Sequence, residues 1–227
     1  MPIIETQGLT KVYNSDQVPV HALNGVDLNI EKGEFTAIVG PSGSGKTTLL
    51  NIIGGLDNPT EGKAKVQGTD LDTLSDGKLI NFRLHHIGFV FQAYNLIPVL
   101  TALENVSFVM QMQGRSLEEC KTKSIALLEE VGLEDKIHKR PSELSGGQQQ
   151  RVAVARALAS KPDFVLADEP TANLDSVSTA ELLDMMLELN EQEDMTFVFS
   201  THDQRVIDRA RRVVTLVDGK IDSDEQR

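Results

Sequence analysis

A glycine-rich turn at residues 40–48 contains the residues whose spacing most clearly indicates a chemistry. It reads GPSGSGKTT and lies between the apolar stretch FTAIVG and the helix-like stretch KTTLLNIIGGL. The spacing G-x-x-x-x-G-K-[ST] between a strand and a helix is typical of a phosphate-binding loop, because glycines let backbone amides approach the phosphates. Lys46 would reach the β- and γ-phosphates, and the Thr47 hydroxyl would hold Mg²⁺. We therefore predict a nucleoside triphosphate site formed by Gly40, Pro41, Ser42, Gly43, Ser44, Gly45, Lys46, Thr47 and Thr48.

Two carboxylates, Asp168 and Glu169, follow the apolar stretch FVLA at 164–167. Ligands of open α/β sheets bind at the carboxyl ends of the strands, where this pair is placed. Asp168 is suited to coordinate Mg²⁺ through water. Glu169 is suited to act as a general base on the attacking water, an effect that typically contributes about 10²–10⁴-fold. The alternative is a solvated Asp-Glu pair at a strand end, and the complete phosphate loop favours the catalytic interpretation.

A second turn of the phosphate-binding kind occurs at residues 144–148, which read LSGGQ and open the helical stretch GQQQRVAVARALA. A Ser-Gly-Gly turn at a helix start presents amides and the positive end of the helix dipole to an anion. Two such turns could hold two anions in one subunit, or they could hold one anion from two subunits. We favour the second arrangement, in which Ser145, Gly146, Gly147 and Gln148 act in trans on a γ-phosphate bound by another copy. Charge supplied in this way by an arginine finger is worth about 10³–10⁵ in rate.

The elements that must position these residues alternate between strands and helices. Short apolar runs in residues 1–35 predict antiparallel strands, and residues 164–217 alternate strand and helix patterns, which indicates a mainly parallel sheet covered on both faces. Residues 93–143 are mostly helix-periodic. The predicted fold is therefore α/β: a P-loop NTPase core (1–92 and 144–227), an N-terminal antiparallel β subdomain and an inserted α-helical subdomain at about 93–143, in one domain spanning 1–227. We expect the acidic tail IDSDEQR to be loose.

The composition narrows the classes of function. The 227 residues are 40% hydrophobic and carry a formal net charge of −12, which argues against a broad nucleic-acid grip because that requires a basic face. The single cysteine, Cys120, permits no internal disulfide, fits a reducing cytosol and is interpreted as structural rather than redox-active. No signal peptide and no apolar stretch long enough to span a bilayer is apparent. We expect any membrane role to come through a partner.

The ordered motifs resemble those of the nucleotide-binding subunit of an ATP-binding cassette (ABC) transporter. They are GPSGSGKT, FVFQ, LSGGQQQRVAVARAL, FVLADEP, ANLD and STHD, and the similarity covers essentially the whole chain. The resemblance implies an ATPase that forms a head-to-tail homodimer around two ATP molecules, each held between the phosphate loop of one subunit and the signature turn of the other.

The resemblance also implies roles for single residues outside the two turns. Tyr13 would stack on adenine, although it could simply pack an edge strand; base–aromatic stacking is worth about 1–3 kcal/mol. Gln92 would contact Mg²⁺ and water, and Asp175 would lie at the dimer interface. His202 would contact the γ-phosphate and so join Lys46 and Glu169 among the catalytic residues. The other histidines, His21, His85, His86 and His138, receive no role.

The stretch FQAYNLIPVLTALENV at 91–106 and the signature resemble one branch of the family, the lipoprotein-releasing, macrolide-exporting and cell-division ATPases of bacteria. This implies a peripheral protein on the cytoplasmic face of the inner membrane that drives a separate integral permease by mechanotransmission. The apolar segment 94–98 could grip that permease or serve as a hinge of the helical subdomain. Two other readings stay open: a soluble ABC ATPase in a non-transport complex, and an ATP-sensing regulatory module.

Overall fold

Two β-sheets and seven α-helices make up the fold of the described residues, 2–14 and 18–227 of a computed structural model. The strands are β1 (Ile4–Tyr13), β2 (Val20–Ile30), β3 (Phe35–Val39), β4 (Glu61–Val66), β5 (Thr69–Asp70), β6 (Ile87–Phe91), β7 (Phe164–Asp168), β8 (Thr196–Ser200), β9 (Arg212–Val217) and β10 (Lys220–Gln226). The helices are α1 (Lys46–Ile53), α2 (Asp76–His86), α3 (Ala102–Met112), α4 (Leu117–Glu130), α5 (Gly146–Ala159), α6 (Ser176–Glu193) and α7 (Gln204–Arg209). None of these helices combines the length and apolar character that crossing a bilayer requires.

The larger sheet has the strand order β10-β9-β3-β8-β7-β6, in which the neighbours from β9 to β6 pair in parallel. Its central strands are short apolar runs that are buried on both faces, as parallel strands covered by helices must be. The register pairs Ile38 with Ser200 and Ser200 with Asp168, so β3, β8 and β7 end at one edge of the sheet. The loops that follow these three strands therefore meet.

The smaller sheet is antiparallel, in the order β2-β1-β4-β5. Helix α1 lies between the two sheets: its Leu49 and Ile53 share one buried cluster with Ile4 of the small sheet and Leu166 of the large sheet. The predicted combination of a mainly parallel core and an N-terminal antiparallel sheet is confirmed. Because α1 begins at the phosphate loop, its packing anchors the loop to both sheets.

A separate buried cluster lies around α3 and α4, in the stretch for which the sequence predicts a helical insertion. It includes Val106, Cys120 and Leu128, and Cys120 is buried without a disulfide partner. Helix α5 contributes to this cluster through Ala155 and to the cluster of the large sheet through Val154. The signature helix is therefore packed against the helical part and the core at the same time.

The acidic tail is not loose: it forms β10, antiparallel to β9. Ile221 packs against the core, and Ser223 Oγ donates to Thr215 Oγ1 at 3.0 Å. The expectation failed because it was drawn from the polar composition of the tail alone. An edge strand with one face in solvent tolerates such a composition when a neighbouring strand supplies backbone partners.

Candidate active site

The phosphate loop has a backbone that only glycine permits at two of its positions. Gly40 has φ 148° and Gly45 has φ 103°. A Cβ at these positions would lie 2.0 Å from the Leu216 carbonyl oxygen and 2.2 Å from the Ala22 carbonyl oxygen, respectively. Lys46 is held inside the loop, where its Nζ donates to the carbonyls of Gly40 at 2.9 Å and Pro41 at 3.1 Å. The loop thus forms an open concave backbone surface with a cation beneath it, the arrangement that a polyphosphate requires.

A cavity of about 530 Å³ lies over this loop. It brings together eleven residues that the sequence predicted for the site: Gly40, Pro41, Ser42, Gly43, Gly45, Lys46, Thr47, Thr48, Gln92, Glu169 and His202. Val20, His21, Ala22 and Ala172 line it as well and were not predicted. No local pattern marks the three β2 residues, since they reach the cavity only through the folding of the small sheet against the loop. Ser44 belongs to the loop but is buried, and it is not among the lining residues.

Glu169 and His202, which both line the cavity, are in contact with each other. His202 Nδ1 lies 2.7 Å from Glu169 Oε1, and the Thr201 hydroxyl donates to Glu169 Oε2 at 3.3 Å. Glu169 has a left-handed backbone, with φ 46°, and its amide donates to the Ser200 carbonyl at 2.8 Å. Such a conformation costs a non-glycine residue about 1–3 kcal/mol and is common at active sites. It turns the Glu169 side chain from the end of β7 toward the loop after β8.

Asp168 and Thr47 supply an oxygen pair beside the loop. The Thr47 hydroxyl donates to Asp168 Oδ1 at 3.1 Å. Thr47 and Gln92, which follows β6, line the cavity, whereas Asp168 is not among its lining residues. Hydroxyl, carboxylate and amide oxygens are ligands of the kind Mg²⁺ takes, with phosphate oxygens and water completing an octahedron. The described residues contain no cluster of three or more His, Cys, Asp or Glu side chains that could hold a metal without a substrate. The donors therefore fit Mg²⁺ brought in with a nucleotide.

Tyr13 lies outside the residues that line this cavity. Its hydroxyl donates to Asp57 Oδ2 at 2.6 Å, and Lys11 Nζ lies 4.9 Å from the centre of its ring. Partial burial and the Asp57 carboxylate raise the pKa of Tyr13. The contacts fix the ring near the end of β1 with more than a third of its surface exposed. Stacking of Tyr13 on adenine stays a prediction.

The signature turn begins α5 with a capping box. Ser145 Oγ accepts from the Gln148 amide at 3.3 Å, and Gln148 Oε1 accepts from the Ser145 amide at 3.0 Å. Gly146 and Gly147 allow close contacts: a Cβ would lie 2.9 Å from Tyr94 Oη at Gly146 and 2.8 Å from Ser178 Oγ at Gly147. None of the four signature residues is among the described residues that line the cavity.

Asp175 is the N-cap residue of α6 and lies close to the signature turn. Its hydrogen-bond partner Ser178 is also the residue that lies against Gly147. Asp175 accepts from the Val177 and Ser178 amides at 2.9 Å each, and Ser178 Oγ donates to it at 2.8 Å. The hydrogen bonds from Ser178 hold the pKa of the Asp175 carboxyl below its usual value. An ionised N-cap carboxylate stabilises the start of α6.

A second concave surface, the lateral groove, has a volume of about 390 Å³ and lies between α2, β6, α3 and α5. Its lining residues are Leu56, Ile80, Arg83, Leu84, Ile87, Gly88, Phe89, Phe91, Asn95, Val109, Met112, Arg156, Ala157 and Ser160. Within the segment 94–98 that the sequence marked, Asn95 alone is among these lining residues. The apolar walls come from residues that sequence reasoning missed, because their patterns are those of ordinary amphipathic helices and a buried strand.

The fold and the cavity together define an ATP-hydrolysing cassette. The sequence profile of the family described as ABC transporter matches residues 23–172, and the chain belongs to this family. It is 49% identical to the lipoprotein-releasing system ATP-binding protein LolD of Anaeromyxobacter dehalogenans over 98% of this chain and 94% of that protein. It is also 47% identical to the macrolide export ATP-binding/permease protein MacB of Hyphomonas neptunium, over 98% of this chain but only 34% of that protein.

The fold of the chain is similar to that of a solved dimeric cassette, MJ0796 of Methanocaldococcus jannaschii, in a post-hydrolysis state bound to ADP and Pi. The TM-score is 0.91, with 43% sequence identity over 98% of each chain. The expected family, fold class and ATPase activity are thereby confirmed, and the chain is an ABC transporter ATP-binding subunit. The individual roles of the site residues stay predictions.

Proposed function

We propose that the chain forms a homodimer, head to tail around two ATP molecules, and drives a separate membrane permease from the cytoplasmic face of the inner membrane. The observation that carries this proposal is the composition of the cavity. Phosphate loop, Gln92, Glu169 and His202 line it together, and the signature residues do not. In the proposed arrangement an ATP molecule is held by a phosphate loop on one side and by a signature turn on the other. A second subunit would supply the signature turn that this cavity lacks.

Hydrolysis in this arrangement assigns a separate task to each polar group of the cavity. The loop amides and Lys46 bind the β- and γ-phosphates, and Glu169 accepts a proton from the attacking water as its oxygen bonds to the γ-phosphorus. The bond from that phosphorus to the bridging oxygen breaks, and ADP and phosphate are released. His202 holds Glu169 through Nδ1, which leaves Nε2 as the ring atom that we assign to the γ-phosphate.

Thr47, Asp168 and Gln92 would hold Mg²⁺ at this site, and the oxygen donors beside the loop support this assignment. When bound, the ion neutralises charge on the β- and γ-phosphates. Of the protein groups, Thr47 contributes its hydroxyl, Asp168 holds that hydroxyl in place, and Gln92 approaches from the end of β6. Adenine stacking on Tyr13 completes the proposed nucleotide contacts.

The signature turn is proposed to bind the γ-phosphate of the partner subunit's ATP. Ser145 and Gln148 cap each other, so the first amides of α5 are oriented before any ligand arrives. Asp175 is fixed by its own N-cap hydrogen bonds close to Ser178, which touches Gly147. We therefore assign Asp175 to the dimer interface beside the signature.

The lateral groove is the proposed docking site of the permease. Leu56, Ile80 and Met112 on its walls are each about half exposed, at 45%, 52% and 55%. Clustered exposed apolar side chains of this size are typical of a partner site. Asn95 connects the groove to the Gln92 segment, so a permease seated there would touch a segment that also reaches the nucleotide.

The type of permease is inferred from the relatives. The LolD and MacB likeness favours mechanotransmission, in which dimer closure pulls on a permease that releases lipoproteins or exports a substrate. In this proposal the permease is a separate chain. It is the main determinant of which substrate is moved.

The experiment uses Glu169→Gln, which keeps the shape of the base but cannot accept the proton. Tagged protein is purified with ATP from gently solubilised native membranes, and co-purifying proteins are identified by mass spectrometry. We expect an integral permease with a large extracytoplasmic domain, and an ATP-dependent dimer on gel filtration. Ile80→Asp in the groove should lose the permease and keep the dimer, whereas the control Leu117→Asp, exposed elsewhere, should keep both.

Three outcomes would contradict the proposal in different ways. Recovery of soluble proteins only would favour a non-transport complex. Dimer closure on ATP without hydrolysis by the wild type, even with its partner, would favour a sensing module. A Glu169→Gln protein that stays monomeric with ATP, alongside an active wild type, would refute the sandwich dimer.

A further inference from the structure

Arg156 is a partly buried arginine whose side-chain hydrogen bonds go to backbone carbonyls. Its Nη1 donates to the Asn95 carbonyl at 2.5 Å and its Nη2 to the Tyr94 carbonyl at 2.8 Å. Within the described part of the chain, Arg156 has no carboxylate within ion-pair distance. Burial lowers the pKa of this guanidinium. Burying a charge without a counter-ion is costly, so the position of Arg156 beside the two carbonyls indicates a specific role for this contact.

The backbone that Arg156 contacts is itself in an unfavourable conformation. Tyr94 and Asn95 are consecutive non-glycine residues with φ 56° and 50°. Left-handed backbone is unfavourable for non-glycine residues, and the carbonyls of both residues accept from one guanidinium. The planar guanidinium fork matches such a pair of acceptors. Arg156 thus links both carbonyls of this left-handed pair to helix α5.

This turn follows Gln92 directly and is held at other points as well. Asn173 Nδ2 donates to the Gln92 carbonyl at 2.9 Å, and Asn105 Oδ1 accepts from the Ile97 amide at 2.8 Å. The three side chains come from three different elements: the loop before α6, helix α3 and the signature helix α5. Arg156 is the one of these three that ties the Gln92 turn to the helix whose first residues form the signature.

We propose that Arg156 is a positioning residue for ATP hydrolysis, which sets Gln92 at the nucleotide by clamping the Tyr94 and Asn95 carbonyls to α5. The inference rests on the proposed role of Gln92 at Mg²⁺ and water. It predicts that loss of the clamp frees residues 93–97 and misplaces Gln92, while the phosphate loop and its affinity for ATP are unchanged.

The first test is hydrogen exchange on the full chain without nucleotide. Arg156→Met should accelerate exchange of the amides in 93–97 by about tenfold or more, because two charge-assisted hydrogen bonds are lost. The matched control is Arg151→Met on the same helix, which loses a bond to the Val131 carbonyl and an ion pair with Glu181. The control should leave 93–97 unchanged. Equal exchange of 93–97 in the wild type and Arg156→Met would overturn the proposal.

The second test is a double-mutant cycle on kcat with Gln92→Ala. Arg156→Met should lower kcat by up to about 100-fold, the cost of a misplaced catalytic group, with ATP affinity measured in the Glu169→Gln background unchanged. In the Gln92→Ala background the same substitution should have no further effect. Additive losses would overturn the proposal, because Arg156 would then act without Gln92.

The two readouts separate this inference from the proposed function. If Gln92→Ala alone leaves kcat unchanged, the role of Gln92 fails, and the exchange of 93–97 still decides whether Arg156 holds the turn. If Arg156→Met does not fold, Arg156→Lys replaces it in both tests. Lysine keeps the charge but lacks the fork, so a smaller acceleration of exchange in the same segment is expected, and none would again overturn the proposal.

Discussion

Replacing Arg212 by methionine tests whether the C-terminal strand stabilises the domain. Arg212 begins β9 and is only 12% exposed. It donates to both Asp224 oxygens at 2.8 and 2.7 Å, to the Glu34 carboxylate at 3.0 Å and to the Asn29 carbonyl at 2.6 Å. One guanidinium thus connects β9 to β10, to the start of β3 and to the end of β2.

The magnitude follows from the burial of these partners. Removing one member of a buried ion pair costs about 3–5 kcal/mol, since the remaining charge is left unpaired. Glu34 is 16% exposed, but Asp224 is 38% exposed and can regain water, so we expect the lower end, about 3 kcal/mol. For a domain of this size that corresponds to a fall in Tm of about 6–12 °C.

The loss of stability is measured by urea and thermal unfolding of the wild type and of Arg212→Met. Arg211→Met is the matched control. Arg211 is the preceding residue, and its ion pair with Glu191 is about half exposed on both sides, so its loss should cost below about 0.5 kcal/mol. Arg212 lowers the pKa of Asp224, so its contribution is present above the unfolded pKa and is lost as pH falls below about 4. Equal destabilisation by the two substitutions at neutral pH would refute this reasoning.

Two further predictions concern the signature and the loop that bears His202. Ser145→Arg should leave ATP binding intact and lower hydrolysis by about 10³-fold or more; equal loss of both would mean that the signature acts within its own subunit. Asp203 accepts from Arg205, which lowers the pKa of its carboxyl from 3.8 to about 2, and from the Thr171 hydroxyl at 2.9 Å. Because the folded pKa is the lower one, Asp203→Asn should destabilise the protein at pH 7 by about 1–2 kcal/mol after screening, and by about half of that at pH 3. Urea titrations at both pH values check this, and an undiminished difference at pH 3 would contradict it.

Much of the fold was predictable because its elements have strong local patterns. The strands FVLAD and MTFVFS are continuous apolar runs, and the glycines of residues 40–45 mark a turn that other residues cannot form. Strand β10 was not predictable in this way. It pairs with β9 and its Asp224 accepts from Arg212, and neither contact is visible in the composition of the tail.

The site was predictable where its residues directly follow strands of the parallel sheet, and not where its contacts depend on how side chains from different elements are directed. The phosphate loop, Glu169 and His202 follow strands that end at one edge, so sequence order and sheet topology place them together. Three other contacts depend on the directions of side chains from different elements. They are the position of His21 in the cavity wall, the approach of Tyr94 to Gly146, and the hydrogen bonds from Arg156 to the Tyr94 and Asn95 carbonyls. No period or spacing encodes those directions.

Helix α5 connects these separate parts of the site in one rigid element. Its first residues, Gly146 and Gly147, are assigned to the partner subunit's ATP, and Arg156 lies about 15 Å further along the helix axis. A helix transmits a displacement over that length with little deformation, because its hydrogen bonds run along the axis. If both assignments hold, closure of the signature on one ATP moves the clamp that positions Gln92 at the other. The permease groove, lined by Arg156 and Asn95, would then sense the state of both nucleotides through a single contact.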